Sequence, residues 1–133
     1  MALTAEQRAF LEQKNFAVLG TVSRSGPPHL TIMWYVLDGD EIVFNTKAGR
    51  AKESNLDRDP RVSLLVYDDT GYRYVRIDGT VRPVTDPAAA HADIARLAAR
   101  YEDAEEAARS VARFQTEERI SYRLPTTRVY DYR

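Results

Sequence analysis

The chain has no cysteine, which removes disulfides, thiolate nucleophiles and zinc sites built on Cys. Its two histidines, His29 and His91, lie too far apart in sequence to nominate a His-based cluster, so no metal site is expected. An excess of one charge is also missing. Nineteen Lys and Arg against twenty Asp and Glu leave a net charge of -1, without the basic surplus of a nucleic-acid binder. No nucleic-acid partner is expected, and any positive site must be local. No run approaches the roughly eighteen apolar residues of a membrane span. The first residues carry Glu6, Arg8, Glu12 and Lys14, unlike an apolar signal segment, so a soluble cytoplasmic protein without a membrane partner is the expectation. Catalytic signatures are absent as well: there is no Ser/His/Asp set with a nucleophile elbow, no GxGxxG after a strand, and no carboxylate pair to nominate. The catalytic residue therefore stays unknown on this reading. A cofactor that brings its own chemistry suits the chain better.

What is present reads as one domain over residues 1–133, long enough to bury a sizeable core. Thr4 and Gln7 have capping-box spacing before a short opening helix. Residues 16–23 and 29–37 are strand-like around the turn Arg24-Ser25-Gly26, and Asp38-Gly39 is the strongest hairpin signal, leading to a third strand over 41–46. After a basic loop and a short helix ended by Asp59-Pro60, residues 61–67 alternate with Val62, Leu64 and Val66 on one face. Residues 72–84 alternate again, with Val75, Ile77 and Val81 sharing a face and Gly79 marking a bulge or bend. Asp86-Pro87 opens a pair of helical segments, and strand-like runs over 119–124 and 127–132 flank Pro125. About six strands joined mostly by short turns predict a mainly β fold, an antiparallel barrel or sandwich with peripheral helices.

Three features carry candidate function. Lys47, Arg50 and Lys52 fall around Gly49 beside a predicted helix start, where free backbone N–H groups already favour an anion. The same charges would equally suit a solvated loop paired with Glu53, Asp57 and Asp59. His29 to Tyr35 reads HLTIMWY; alternation sends His29, Thr31, Met33 and Tyr35 to one face and Leu30, Ile32 and Trp34 to the other, so one set could line the pocket of a planar ligand or simply pack. Tyr67, Tyr72, Tyr74, Tyr122, Tyr130 and Tyr132 suit an interface or a cofactor edge, although strand propensity explains them too.

The succession VLGTVSRSGPPHLTIMWYVLDGDEIVFNT, KAGRAKESNLDRDPRVSLLV and YVRIDGTVRPV resembles the split β-barrel flavin and deazaflavin oxidoreductases related to pyridoxamine 5′-phosphate oxidase. The run R-A-K-x-x-N-L-x-x-D-P-R at 50–61 is similar to the branch that uses the deazaflavin coenzyme F420. The resemblance implies a six-stranded antiparallel split β-barrel, a homodimer with the cofactor at the subunit interface, and F420 or alternatively FMN as cofactor. It further implies that Arg50 and Lys52 hold the phosphate or acidic tail, with Asn45, Thr46 and Lys47 beside it. His29, Thr31, Ile32, Met33 and Trp34 would border the ring system, and Tyr72 and Tyr74 would approach from the partner subunit. The implied reaction is hydride transfer from reduced deazaflavin to an unsaturated small-molecule acceptor of quinone, enone or tetrapyrrole type. The alternative is an FMN-dependent oxidoreductase or a non-catalytic binder of flavin or haem.

Overall fold

The structure is a computed structural model that describes residues 3–132. Helix α1 (Ala5–Glu12) precedes β1 (Phe16–Val22), β2 (Pro28–Met33), β3 (Val36–Asp38) and β4 (Glu41–Lys47). Helix α2 (Ala51–Arg58) leads to β5 (Arg61–Tyr67), β6 (Tyr74–Thr80) and β7 (Arg82–Val84). Helices α3 (Pro87–Tyr101) and α4 (Ala104–Phe114) then precede β8 (Arg119–Pro125) and β9 (Val129–Tyr132). The strands form a five-stranded sheet, β2-β1-β5-β6-β9, and a four-stranded sheet, β3-β4-β8-β7, antiparallel throughout. This is the expected mainly β split barrel, built as two facing sheets rather than one closed wall.

Period-two burial explains how the sheets close on each other. Ala17 and Leu19 of β1, Val62, Leu64 and Val66 of β5, and Val75 and Ile77 of β6 meet Ile42, Phe44, Tyr122 and Leu124 of the smaller sheet in one core. Each such aliphatic side chain contributes roughly 1.5–3 kcal/mol when taken from water. The opposite face of the smaller sheet presents Val36 and Val43 to Ile94, Leu97, Ala107 and Phe114, so α3 and α4 cover it. The expected capping box is present: the Gln7 N–H donates to Thr4 Oγ1 at 3.0 Å, and the Thr4 N–H donates to Gln7 Oε1 at 2.9 Å. Asp86 caps α3 by accepting from the Ala89 N–H at 3.2 Å. Among the described residues, no helix is long and apolar enough to cross a membrane.

The structure corrects the strand count. Nine strands stand among the described residues instead of about six: the seven strand-like runs become nine because two of them each change sheet. The run 29–37 breaks at Trp34-Tyr35, where the chain leaves β2 in the larger sheet for β3 in the smaller one. Trp34 lines the same cleft as Ile32, packs against the α3–α4 core and stacks on Tyr101 with ring centroids 5.4 Å apart. Tyr35 is fully buried, its hydroxyl donating to the Leu11 carbonyl at 2.8 Å. The run 72–84 likewise parts at Val81, whose N–H donates to the Pro60 carbonyl at 3.0 Å. Gly79 is no bulge. The β5–β6 register runs through it unbroken, and a Cβ there would lie 3.0 Å from Leu124 Cδ1, so the glycine admits close packing between the sheets.

Candidate cofactor cleft

A cleft of about 310 Å³ lies where β1, β2, β4, α2, α3, α4 and β8 converge. Phe16, Ile32, Met33 and Trp34 give it an apolar and aromatic lining from the larger sheet and its edge. Tyr101 braces that lining from behind, stacked between Trp34 and Phe16 with centroids 5.4 Å and 5.3 Å away. Arg50, Lys52, Arg113 and Arg119 line it as cations. A flat ring and an anionic group thus find complementary surfaces in one cavity.

The cations owe their position to the turn between β4 and α2. Gly49 sits at φ 90°, in the left-handed region, and its N–H donates to Glu53 Oε1 at 2.6 Å. Arg50 follows as the extended N-cap residue of α2 with no side-chain cap bond, which leaves the first helical N–H groups without a capping side chain. The remainder of the 50–61 motif is structural. Asn55 donates to Thr21 Oγ1 at 3.1 Å and ties α2 to β1, Leu56 enters the core, and Asp59 accepts from Arg61 at 2.6 Å and 2.9 Å. The Arg61 guanidinium holds the Asp59 carboxyl down at about 2.

Two of the three acids, Glu53 and Asp59, are engaged elsewhere, and the solvated-loop pairing with Arg50 and Lys52 does not form among the described residues. Glu53 binds the Gly49 N–H, Asp59 binds Arg61, and Arg50 and Lys52 make no ion pair among the described residues. Burial, together with Arg50 and Arg119, holds the Lys52 ammonium below the usual lysine range. A half-buried cation with like-charged neighbours and no counter-ion is a site that an anion would relieve.

Of the residues nominated by sequence, Ile32, Met33, Trp34, Asn45, Arg50 and Lys52 meet at this cleft. Asn45 is committed to the protein: its amide donates to the Ala90 carbonyl and Ser121 Oγ, both at 2.9 Å, and accepts from Arg119 Nε at 2.9 Å. Strand alternation turns Thr46 the other way, where it is 2% exposed and its hydroxyl has no partner among the described residues. Lys47 is off the lining and faces Glu117 at 3.7 Å. His29 and Thr31 are half-buried on β2 outside the lining, and their Nδ1 and Oγ1 atoms lack partners among the described residues. Tyr72 stands 78% exposed, and Tyr74 stacks on Tyr132 at 5.3 Å; neither reaches this cleft within one chain.

Sequence reasoning missed Phe16, Ile94, Leu97, Arg113, Phe114 and Arg119. Arg119 is the most consequential. It is 7% exposed, its Nη1 donates to Glu117 Oε1 at 2.9 Å, and its guanidinium lies 4.6 Å from the centre of the Phe114 ring. Desolvation by burial holds its pKa below the usual arginine range. The cross-strand pair Lys47↔Arg119 brings it beside the basic loop, a pairing that no local signal announces.

Known proteins agree with this architecture. A pyridoxine/pyridoxamine 5′-phosphate oxidase of Rubrobacter xylanophilus is 36% identical over 74 residues, which are 55% of this chain and 34% of that protein. The chain thus matches only about a third of that relative's length. A solved F420 reductase is 25% identical with a TM-score of 0.75, over 96% of this chain and 98% of its own. A conserved hypothetical protein of Mycobacterium tuberculosis is 32% identical with a TM-score of 0.77, over 99% of this chain and 85% of its own. The family described as pyridoxamine 5′-phosphate oxidase matches residues 3–123, so this chain, with its two facing sheets and the cleft beside them, belongs to that family.

Proposed function

We propose that the protein is an oxidoreductase that binds coenzyme F420 in the cleft of Arg50, Lys52 and Trp34 and uses it to reduce a small unsaturated acceptor. The observation that carries this is the pair Arg50 and Lys52, without ion-pair partners among the described residues and facing the same cavity as the Phe16, Ile32 and Trp34 lining. Charged hydrogen bonds to a tail would relieve the cations, while the aromatic and apolar lining suits a flat ring. Likeness over almost the full chain to a protein named an F420 reductase supports F420 over FMN. When bound, the reduced deazaflavin supplies a hydride to a quinone, enone or tetrapyrrole. The chain's own work is to anchor the tail through Arg50 and Lys52, to hold the ring against Trp34, and to keep bulk water from the apolar lining.

A homodimer is part of this reading. Phe16, Leu30, Ile32, Tyr130 and Tyr132 expose large apolar area, with Leu30 and Ile32 each 65% exposed on edge strand β2. A partner on that face would cover the area and bring its own Tyr72 and Tyr74 near the cleft. Leu30→Glu with Ile32→Glu is then expected to yield a folded monomer of lower cofactor affinity by analytical ultracentrifugation and titration. A double variant that sediments like the parent would remove the partner from this account.

The function itself is tested by mixing purified protein with reduced F420, or with reduced FMN, and a panel of quinones, enones and tetrapyrroles. Acceptor-dependent oxidation of F420 beyond the protein-free rate is the expected outcome. Saturable binding of either cofactor with no turnover across the panel would instead make this a binding protein.

A further inference from the structure

The geometry points to a second anion subsite, built by Arg113 of α4 and Arg119 of β8, so that the cleft takes a ligand tail with two separate anionic groups. This deepens the reading of the cleft as a cofactor anchor and rests on it.

Two observations carry the inference. The first is donor accounting at Arg119. Its Nε is spent on Asn45 and its Nη1 on Glu117, but Nη2 donates to no protein group among the described residues, while the side chain lines the cleft. A guanidinium this buried ordinarily satisfies its fork. The bonds to Asn45 and Glu117 fix the plane of the fork, so the unused edge is aimed before any ligand arrives. The second is the pattern of mutual repulsion. Desolvation by burial is the main cause that lowers both Lys52 and Arg119; beyond it, Lys52 feels the charges of Arg50 and Arg119, and Arg119 feels those of Arg50 and Arg113. Arg119 is thus the shared neighbour of two cationic groups: Arg50 and Lys52 on the α2 side, and Arg113 on the α4 side. Arg113 makes no ion pair among the described residues, and its guanidinium stacks 4.9 Å from the centre of the Phe114 ring.

Glu117 is the carboxylate bonded to this group, and it is divided between Arg119 and Lys47. One phosphate at Arg50 and Lys52 would leave Arg113 and the free edge of Arg119 with no counter-charge beyond the Glu117 carboxylate, which Lys47 and Arg119 already share. A tail with a second phosphate or a carboxylate beyond the first satisfies both. By this chemistry the site prefers extended polyanions to a single terminal phosphate.

The lone Trp34 lines the cleft and reports occupancy through its fluorescence. Inorganic phosphate and tripolyphosphate are titrated into the parent, Arg113→Gln, Arg119→Lys and Lys52→Gln, with circular dichroism confirming that each variant folds. Tripolyphosphate is expected to bind the parent more tightly than phosphate. Arg113→Gln is expected to weaken tripolyphosphate about ten-fold, the effect of one lost charged hydrogen bond, while leaving phosphate unchanged. Arg113 is exposed, so this variant tests the idea even if Arg119→Lys fails to fold. Lys52→Gln should weaken both probes. Equal affinity of tripolyphosphate for the parent and Arg113→Gln, or an equal loss for both probes, overturns the second subsite. If the parent binds neither probe the proposal fails as well; in that case, or if Lys52→Gln binds both probes like the parent, the reading of Arg50 and Lys52 as an anion anchor fails too.

Discussion

Arg123 and Arg119 stand on the same face of strand β8, and their surroundings are opposite. Arg123 donates to Glu41 Oε1 at 2.7 Å and to Asp38 Oδ2 at 2.6 Å, and those carboxylates also meet Arg82 at 3.1 Å and Arg96 at 3.7 Å. Its hydrogen bonds to Asp38 and Glu41 lift it above the usual arginine range, and the same bond to Arg123 holds Asp38 below the carboxylate range. Arg119 sits among Arg50, Lys52 and Arg113 with part of Glu117, and desolvation by burial depresses it. One end of the strand is a closed network whose charges answer each other, fastening β3, β4, β7 and α3. The other end is an open one. A fold that saturates its arginines so fully at Asp38 and Glu41 leaves cations unanswered at the other end, where the proposed cofactor would supply the answer.

The largest expected effect comes from opening the closed end. Glu41→Gln removes a charged partner of both Arg82 and Arg123 and should destabilise the protein by about 2 kcal/mol in urea unfolding, since the half-buried Arg123 guanidinium is left with the Asp38 carboxylate alone. At the open end, Arg50→Ala or Lys52→Ala should reduce cofactor affinity by roughly 1–3 kcal/mol and leave the urea midpoint no lower than the parent's, because each removes a repelled cation. Equal stability losses at both ends would erase the distinction drawn here.

A smaller effect appears with pH. The folded pKa of Lys52 lies below its ordinary 10.5, so between the two values the unfolded chain binds more protons and the contribution of Lys52 to stability rises with pH. Anion binding restores the charge, so proton uptake should accompany it in that alkaline window and vanish in Lys52→Met. Calorimetry in buffers of different ionisation enthalpy measures this. Smallest of all is Arg109→Ala, which breaks an exposed pair with Glu105 on α4 and should change stability by less than about 0.5 kcal/mol.

What could be read from the sequence follows the range of the interactions involved. The alternation of Val62, Leu64 and Val66, the turn at Asp38-Gly39 and the caps at Thr4 and Asp86 are local, and each appears where the sequence indicated. The changes of sheet at Trp34-Tyr35 and Val81 depend on which strands face each other, so alternation alone ran straight through them. The same limit shaped the site. Arg50 and Lys52 advertise themselves by their spacing around a glycine turn, while Arg119 reaches them only through the pairing of β4 with β8, and Arg113 only through the packing of α3 and α4 over that sheet. Thr46 was misplaced for a simpler reason: beside Asn45 on a strand, it must point to the opposite face.

The central claim is that the unanswered cations at the open end await an anionic cofactor. Side-by-side titration of F420 and FMN into the parent and Lys52→Ala, followed by Trp34 fluorescence, tests it most directly. The account predicts saturable binding by the parent, tighter for F420 than for FMN, and a weakening of both in the variant. Indistinguishable binding curves for parent and variant would contradict it.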